Sequence, residues 1–172
     1  MRAIRRRARK VIDKVKAWRF ALASTIAALA LAGPLVAQAI AGPDAASCAP
    51  GVKAPALLVR VHGFKAREGL LRVSTYVASE AEWLAKGRYI RRIDVALPAT
   101  GGTAVCVALP SSGRYGVAVL HDRNGDHRAN IFSDGGGFSN NPKLGLSKPK
   151  VDKVAVAAGA GVTTLDIQLR YL

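Results

Sequence analysis

The sequence predicts an all-β fold: an antiparallel seven-stranded β-sandwich, preceded by an N-terminal signal helix. Apolar and polar residues alternate along seven short segments, which is the pattern of half-buried strands. Clusters of Gly, Pro, Ser and Asn separate these segments and are typical of turns. Strand and helix patterns do not alternate along the chain, which disfavours a parallel α/β fold.

The seven predicted strands follow the alternating apolar side chains in chain order. We expect them at residues 57–61, 71–77, 93–97, 105–109, 115–121, 154–156 and 165–171. A short connector at 64–68 separates the first two strands and predicts a hairpin. Residues 79–86 are the one helical candidate, because Ser79 and Glu82 have the spacing of a capping box. We expect Trp83 to fold back from this segment onto the sheet.

The first 39 residues have the composition of a secretory leader. A basic segment rich in Arg and Lys precedes an uncharged run over 20–42. Ala37, Gln38 and Ala39 form the small-x-small pattern that signal peptidase requires, and a second cleavage position lies two residues further on. We therefore predict a cleaved signal peptide that uses the general secretory route. The uncharged run is also long enough to span a bilayer, so an uncleaved anchor is the alternative.

The domain organisation follows from this leader. Residues 1–39 are predicted to be the signal peptide or the uncleaved anchor. Residues 40–55 form a linker rich in Ala, Pro and Gly, and residues 56–172 form the β-sandwich domain. Cleavage leaves the domain in the periplasm or outside the cell. In the alternative, the N-terminal segment anchors the domain to the inner membrane and the domain still faces outward.

The net positive charge of the chain is divided between the leader and the domain. The whole sequence has a formal net charge of +15, and about half of it lies in the leader. The moderately cationic remainder could favour an anionic surface, such as lipid headgroups or acidic polysaccharide, or could simply keep the domain soluble. An exported location and the lack of a basic helix argue against nucleic acid as a partner. We expect membrane contact only through an uncleaved leader.

The sequence has two cysteines, Cys48 and Cys106. An oxidising compartment would allow them to pair. A bridge that closes a loop of 58 residues would contribute about 4 kcal/mol in the chain-entropy model. We expect this disulfide to tie the Ala- and Pro-rich N-terminal segment to a strand, with two free thiols as the alternative.

The loop after the fifth predicted strand carries oxygen-bearing residues at calcium-type spacing. Asp122, Asn124 and Asp126 occupy alternate positions, and the carbonyl of Arg128 and the side chain of Asn130 extend the series. This spacing makes calcium the candidate cofactor. The series lacks the central glycine and the final bidentate glutamate of the helix-loop-helix calcium motif. The alternative is a turn in which Asp and Asn side chains cap their own backbone.

A glycine triplet at 135–137 follows this loop. Its backbone amides could bind an anion. No helix pattern follows to reinforce such a site, so we expect a flexible turn. We expect Phe138 and Tyr115 to pack in the core or to anchor the loop, with the floor of a ligand pocket as the alternative.

Two motifs around the loop resemble one bacterial family. Residues 113–122 have the pattern G-x-Y-x-V-x-x-x-H-D, and residues 137–141 are G-F-S-N-N. With the Asn/Asp/Gly loop between them, they resemble the secreted family catalogued as domain of unknown function 2141. The resemblance covers roughly residues 56–172 and includes a C-terminal strand that ends in Tyr171 and Leu172. It implies a prealbumin-like or immunoglobulin-like sandwich, for a family without an established activity.

No catalytic constellation accompanies these motifs. Ser139 lies beside no evident His-Asp pair, and the G-x-S-x-G elbow is absent. The C-terminal Tyr-Arg-Gly-Ser signature of the prealbumin-like hydrolase of the urate pathway is also missing. We therefore expect no catalytic residues. The predicted function is a non-enzymatic binding or structural module of the cell envelope, which recognises a protein, peptide or glycan through the loop 121–141. The alternatives are a calcium-stabilised structural module and a hydrolase of prealbumin-like fold.

Overall fold

The computed structural model describes residues 39–130, 132–145 and 147–172, and these residues form an all-β fold. Its nine strands are β1 (Ile40–Ala41), β2 (Ala56–His62), β3 (Leu70–Val77), β4 (Arg91–Ala96), β5 (Thr103–Ala108), β6 (Gly113–Asp122), β7 (Gly135–Phe138), β8 (Ala155–Ala158) and β9 (Val162–Gln168). A 3-10 helix spans Ala45–Cys48 and helix α1 spans Val151–Val154. The predicted signal peptide and signal helix lie outside the described residues, except for Ala39. No helix in the described part is long and apolar enough to cross a bilayer.

Two sheets enclose one apolar core. The first sheet has the order β1-β5-β2-β9. The second has the order β4-β3-β6-β7, with β8 also paired to β6. The side chains that alternate inward from both sheets meet between them, including Leu57, Val59, Leu71, Val73, Val117 and Ile167. Each such fully buried side chain contributes about 1.5–3 kcal/mol through removal from water. The predicted all-β class is therefore confirmed.

Strand β6 joins several parts of the second sheet. It is ten residues long, and one edge of it pairs with β3 along most of its length. The opposite edge is divided between two partners, since residues 113–116 pair with β8 and residues 118–121 pair with β7. The segment that connects β7 to β8 must therefore cover the position where the partners change.

The N-terminal segment 40–55, predicted to be a linker, is structured against β5. Strand β1 pairs with β5, and Cys48 is disulfide-bonded to Cys106 of β5, with Cα atoms 5.9 Å apart. Asp44 accepts hydrogen bonds from the Arg91 guanidinium and from a backbone N–H of β5. The structure thus contains the expected disulfide. A two-residue strand shows no periodicity in sequence, which is why β1 was not predicted.

Two expectations about strand pairing are wrong. Strands β2 and β3 form no hairpin: β2 lies in the first sheet and β3 in the second, so the connector 64–68 crosses between sheets. The sheets are also not wholly antiparallel, because β2 pairs in parallel with β9 and β1 with β5. Alternation identifies a strand and its buried face but not its neighbour, and a short connector can lead to either sheet.

The segment 79–86 folds back on the sheet as predicted, but as consecutive turns and not as a helix. Leu84 has a left-handed φ of 55°, which interrupts any helix there. Trp83 is fully buried, and its indole N–H donates to the carbonyl of Pro149 at 2.8 Å. It forms an apolar cluster on the outer face of the second sheet with Tyr76 and Val154, flanked by Phe138.

Candidate functional site

Asp122 organises the loop that connects β6 to β7. Its side chain is only 1% exposed. One carboxylate oxygen accepts the backbone N–H of Gly125 at 2.9 Å, and the other accepts that of His127 at 2.7 Å. These two donors offset the cost of removing a carboxylate from water. His127 has a left-handed φ of 62°, a conformation that non-glycine residues adopt mainly in tight turns.

The other residues of the predicted calcium set also bond within this loop. The side-chain oxygen of Asn124 accepts the N–H of Asp126 at 3.2 Å, and Asp126 accepts the N–H of Arg128 at 2.8 Å. Asn130 accepts the N–H of Phe132 at 3.0 Å. The bond from the Arg128 N–H, and next that from the Asn124 amide, hold the pKa of Asp126 below its ordinary value. All three bonds span two residues, which is the pattern of Asx turns.

The hard oxygens of these residues suit calcium by their chemistry. In the structure, however, the side chains of Asp122, Asn124, Asp126 and Asn130 each accept a backbone N–H of the loop. No group of three or more His, Cys, Asp or Glu residues in the described part is arranged to hold a metal ion. The self-capping alternative thus explains the loop conformation without an ion. Calcium binding stays a prediction.

Asp134 closes the loop and was not among the predicted site residues. It is buried, and one of its oxygens accepts the N–H of Asn130 at 2.9 Å. The other accepts the N–H of Arg123 at 3.3 Å and the hydroxyl of Ser133 at 3.1 Å. Asp134 therefore joins the end of the loop to its beginning. The Asp-Gly pair at the end of a polar loop is the sequence signal that could have identified it.

His121 is fully buried and both of its ring nitrogens are engaged. Nε2 lies 2.8 Å from the carbonyl oxygen of Glu68, and Nδ1 lies 2.6 Å from the hydroxyl of Tyr171. A carbonyl can only accept, so Nε2 carries a proton and donates it to the Glu68 carbonyl. Burial raises the pKa of Tyr171, which keeps this hydroxyl protonated. The imidazole therefore links β6 to the C-terminal segment.

Ser139 lies where β6 changes its partner from β7 to β8. Its hydroxyl accepts the N–H of Val117 at 3.0 Å and donates to the carbonyl of Val154. Its own N–H donates to the carbonyl of Val117 at 2.9 Å. The buried side chain thus supplies the hydrogen bonds that the ladder lacks between β7 and β8.

The two asparagines of the G-F-S-N-N motif connect the sheets. Asn140 and Asn141 have left-handed φ values of 61° and 47°, which asparagine tolerates better than most residues. The side chain of Asn141 donates to the carbonyl of Asp166 at 2.8 Å and accepts the N–H of Gln168 at 2.7 Å. The side chain of Asn140 donates to the carbonyl of Ala155 at 3.1 Å. The motif therefore fastens β7 to β8 and β9.

The glycine triplet forms strand β7, so the predicted flexible turn is wrong. A Cβ atom on Gly135 would lie 2.5 Å from the ring of Tyr171, and one on Gly137 would lie 2.7 Å from Cγ2 of Ile167. A Cβ on Gly136 would meet no atom within 4 Å. The close approach of β9 and of the C-terminal segment therefore requires glycine on one face of β7. The other face is open.

A groove of about 900 Å³ lies over that open face of the second sheet. Its floor includes Ser74 on β3, Ala118 and Leu120 on β6, and Gly136 and Phe138 on β7. One wall comes from the loop, through Asn130 and Asp134. The others come from residues 143–145 and from the C-terminal residues 170–172. Phe138 thus packs against the Trp83 cluster and also lines a pocket, which combines the two alternatives considered for it.

The strand register gives the extent of the groove floor across the second sheet. Ser74 pairs with Arg92 on one side and Ala118 on the other, and Ala118 pairs with Phe138. Neighbouring strands lie roughly 4.8 Å apart, so the row from Arg92 to Phe138 spans about 14 Å across four strands. In the next row, Gly136 bridges to Arg170 beyond β7. The lining of the groove therefore extends across four strands, with a basic residue at each side.

The charged side chains that line the groove are mostly basic. They are Arg72, Arg92, Lys143 and Arg170, together with Asp134. The Arg72 guanidinium donates to both oxygens of Asp94 at 2.7 and 3.0 Å, which lowers the pKa of Asp94 and raises that of Arg72. The Asp134 carboxylate accepts backbone N–H groups of the loop. Within the described residues, no carboxylate forms an ion pair with Arg92, Lys143 or Arg170.

The fold and the site define an all-β domain of two sheets, with an open basic groove beside a self-capped loop. Residues 59–166 match the family model described as "Uncharacterized protein conserved in bacteria (DUF2141)". The match covers more than half of the chain, which therefore belongs to this family, and the resemblance inferred from the motifs is confirmed. No curated protein and no solved structure matches the chain.

Proposed function

We propose that this protein is an exported, non-enzymatic binding domain of the cell envelope and that the groove over the second sheet is its binding site. The observation that carries the proposal is an apolar floor bordered by Arg92, Lys143 and Arg170, which have no ion-pair partner among the described residues. A concave, largely apolar surface with a few placed polar groups is the usual form of a ligand site. The loop 121–141, predicted to be the functional edge, forms one wall of this groove.

Export is supported by two features of the chain. Residues 1–39 have the basic segment, apolar run and small-x-small site of a leader. The disulfide between Cys48 and Cys106 is of a kind that persists in oxidising compartments. We propose a periplasmic or extracellular location, with an anchored inner-membrane form as the alternative. For the arrangement of the two sheets we propose the prealbumin-like or immunoglobulin-like class of sandwich.

The proposal that the protein is not an enzyme is supported by the hydrogen bonds that its reactive side chains already form. His121, Asp122 and Ser139 are buried. Each forms hydrogen bonds that hold the fold together. A general base or nucleophile must reach the atom on which it acts, and these groups are directed at the backbone or at Tyr171. A hydrolase of prealbumin-like fold is therefore the weaker alternative.

A calcium-stabilised structural module is the second candidate, and it would use the same loop. The observation in its favour is that two carboxylates and two carboxamides lie within nine residues, from Asp122 to Asn130. Oxygen ligands of this kind suit calcium. We prefer the binding-domain proposal because hydrogen bonds within the loop already use these side chains.

A substitution that fills the groove tests the binding site. Gly136→Trp places a large ring in the groove, at a position where a Cβ meets no atom and φ is not left-handed. Gly159→Trp is the matched control. A Cβ at Gly159 likewise meets no atom within 4 Å, its φ is not left-handed, and the residue does not line the groove. The probe is N-phenyl-1-naphthylamine, an uncharged dye that fluoresces in apolar sites. We expect saturable fluorescence with the wild type and the control, and loss of most of it in Gly136→Trp.

Two results would contradict the proposed site. One is equal fluorescence in all three proteins when their thermal melts are the same. The other is no saturable fluorescence with the wild type. Export is tested separately by the intact mass of the protein from a periplasmic fraction, which we expect to correspond to cleavage after Ala39 or Ala41 with one disulfide. An uncut mass in the membrane fraction would support the anchored alternative.

A further inference from the structure

We propose that the groove binds an anionic amphiphile with a single acyl chain, of the fatty-acid carboxylate type. The acyl chain would lie on the apolar floor, and the carboxylate would lie at the basic side chains. This inference rests on the proposed binding function and specifies the class of ligand.

The floor of the groove favours an acyl chain. Gly136 leaves open space above the sheet, and Ala118, Leu120 and Phe138 supply apolar surface. Apolar side chains are also exposed at the rim, where Leu144 is 40% and Leu172 is 85% exposed. Burial of such surface against methylene groups is favourable in proportion to the apolar area removed from water.

The charge of the groove favours an acid over other headgroups. Arg92 is positioned by a 3.3 Å bond to the hydroxyl of Ser74 and by the ring of Tyr89, whose centroid lies 4.2 Å from the guanidinium carbon. Arg170 and Lys143 are exposed. These three cations form no ion pair within the described residues and outnumber Asp134 in the lining, so the groove attracts anions and repels cations.

The same geometry disfavours a peptide or a glycan. An extended peptide gains its main-chain hydrogen bonds at a free sheet edge. The middle of the floor is formed by β3 and β6, which are each paired on both sides. A glycan needs several polar groups on its binding surface. In the central row of the floor the one hydroxyl is that of Ser74, which already accepts a bond from Arg92.

Competition with the bound dye tests the ligand class. The competitors are decanoate, decyl maltoside and decyltrimethylammonium, all below their micellar concentrations, so that only the headgroup differs. Inorganic phosphate, heparin and an acidic peptide are anions without an acyl chain. We expect decanoate to displace N-phenyl-1-naphthylamine at concentrations about tenfold lower than the other two amphiphiles. We expect no displacement by the anions that lack a chain.

A charge-matched pair of variants assigns the effect to the groove. Arg92→Gln combined with Arg170→Gln should weaken decanoate binding about tenfold and leave decyl maltoside binding unchanged. Lys53→Gln combined with Arg114→Gln removes the same charge from exposed positions outside the groove, and we expect almost no effect.

The failures of the two proposals are distinguishable. Three results would overturn the ligand class while dye binding in the groove persists. The first is equal displacement of the dye by the three amphiphiles, and the second is an equal loss of decanoate binding in both double variants. The third is stronger displacement by heparin or by the acidic peptide than by decanoate. If Gly136→Trp binds the dye and decanoate as the wild type does, the groove is not the site, and both proposals are overturned.

Discussion

The hydroxyl of Tyr171 lies 2.6 Å from Nδ1 of His121, and this bond ties the C-terminal segment to strand β6. The two rings meet edge to face, with centroids 5.9 Å apart. His121 also bonds the carbonyl of Glu68, so the single buried ring connects three distant segments of the chain. Because Tyr171 also lines the groove, this bond holds the C-terminal wall in place.

Removal of the Tyr171 hydroxyl should therefore destabilise the fold. In Tyr171→Phe, the buried Nδ1 of His121 loses its hydrogen-bond partner, and we expect the free energy of unfolding to fall by about 1–3 kcal/mol. Urea denaturation measures the change. Tyr89→Phe is the control, since Tyr89 is 38% exposed, and we expect a change of about 0.5 kcal/mol or less. Equal effects in the two variants would show that the bond to His121 contributes little.

An added methyl group should destabilise the protein on one face of β7 and have almost no effect on the other. In Gly137→Ala the new Cβ would meet Cγ2 of Ile167 and, at 3.0 Å, the backbone oxygen of Gln168. We expect a loss of about 1–3 kcal/mol, because overpacking must move the first sheet. In Gly136→Ala the Cβ enters the open groove, and we expect almost no loss. Similar melting temperatures for the two variants would contradict the close packing of β7 on the first sheet.

Thermal melts in calcium and in chelator distinguish the two explanations of the loop 121–141. The hydrogen bonds of Asp122 and Asp126 predict coincident melts, because the loop is held by its own backbone. A calcium site with free ion at about 100 times its dissociation constant would add about 2.7 kcal/mol. A higher melting temperature in calcium, lost in Asp126→Ala, would establish the calcium-stabilised module.

The bidentate pair of Arg72 and Asp94 should contribute to stability in a pH-dependent way. The bond from Arg72 lowers the pKa of Asp94 below its ordinary value of 3.8. The contribution is therefore fully present above pH 3.8 and is lost as the pH falls through the lower folded-state pKa. We expect Asp94→Asn to cost about 1 kcal/mol at neutral pH and less under strongly acidic conditions. A cost that stays constant down to the lowest pH would contradict the ion pair.

The sequence pattern was sufficient to locate seven of the nine strands in the described residues, because alternating apolar side chains mark a strand with one buried face. It failed for β7, since a glycine triplet has no side chains to alternate. Its glycines are explained only by Tyr171 and Ile167, which approach from distant parts of the chain. The pairing partners of the strands could not be predicted from the sequence pattern either. Strands β2 and β9, for example, are parallel neighbours although about 100 residues separate them.

The site was only partly predictable for a related reason. The spacing of Asp and Asn residues correctly marked the loop as a turn rich in side-chain oxygens. Whether those oxygens point at an ion or at their own backbone depends on the fold of the loop. The groove had no sequence signal at all, since Arg92, Ala118, Gly136 and Arg170 are brought together by strand register.

An amide-resolved NMR titration of the wild-type domain with decanoate most directly tests the claim that the groove is the binding site. We expect saturable shifts at the floor residues Ala118, Leu120 and Gly136, and almost none at Leu58 and Arg60 of β2 in the first sheet. Shifts centred on the first sheet, or no saturable shift at any residue, would contradict the claim.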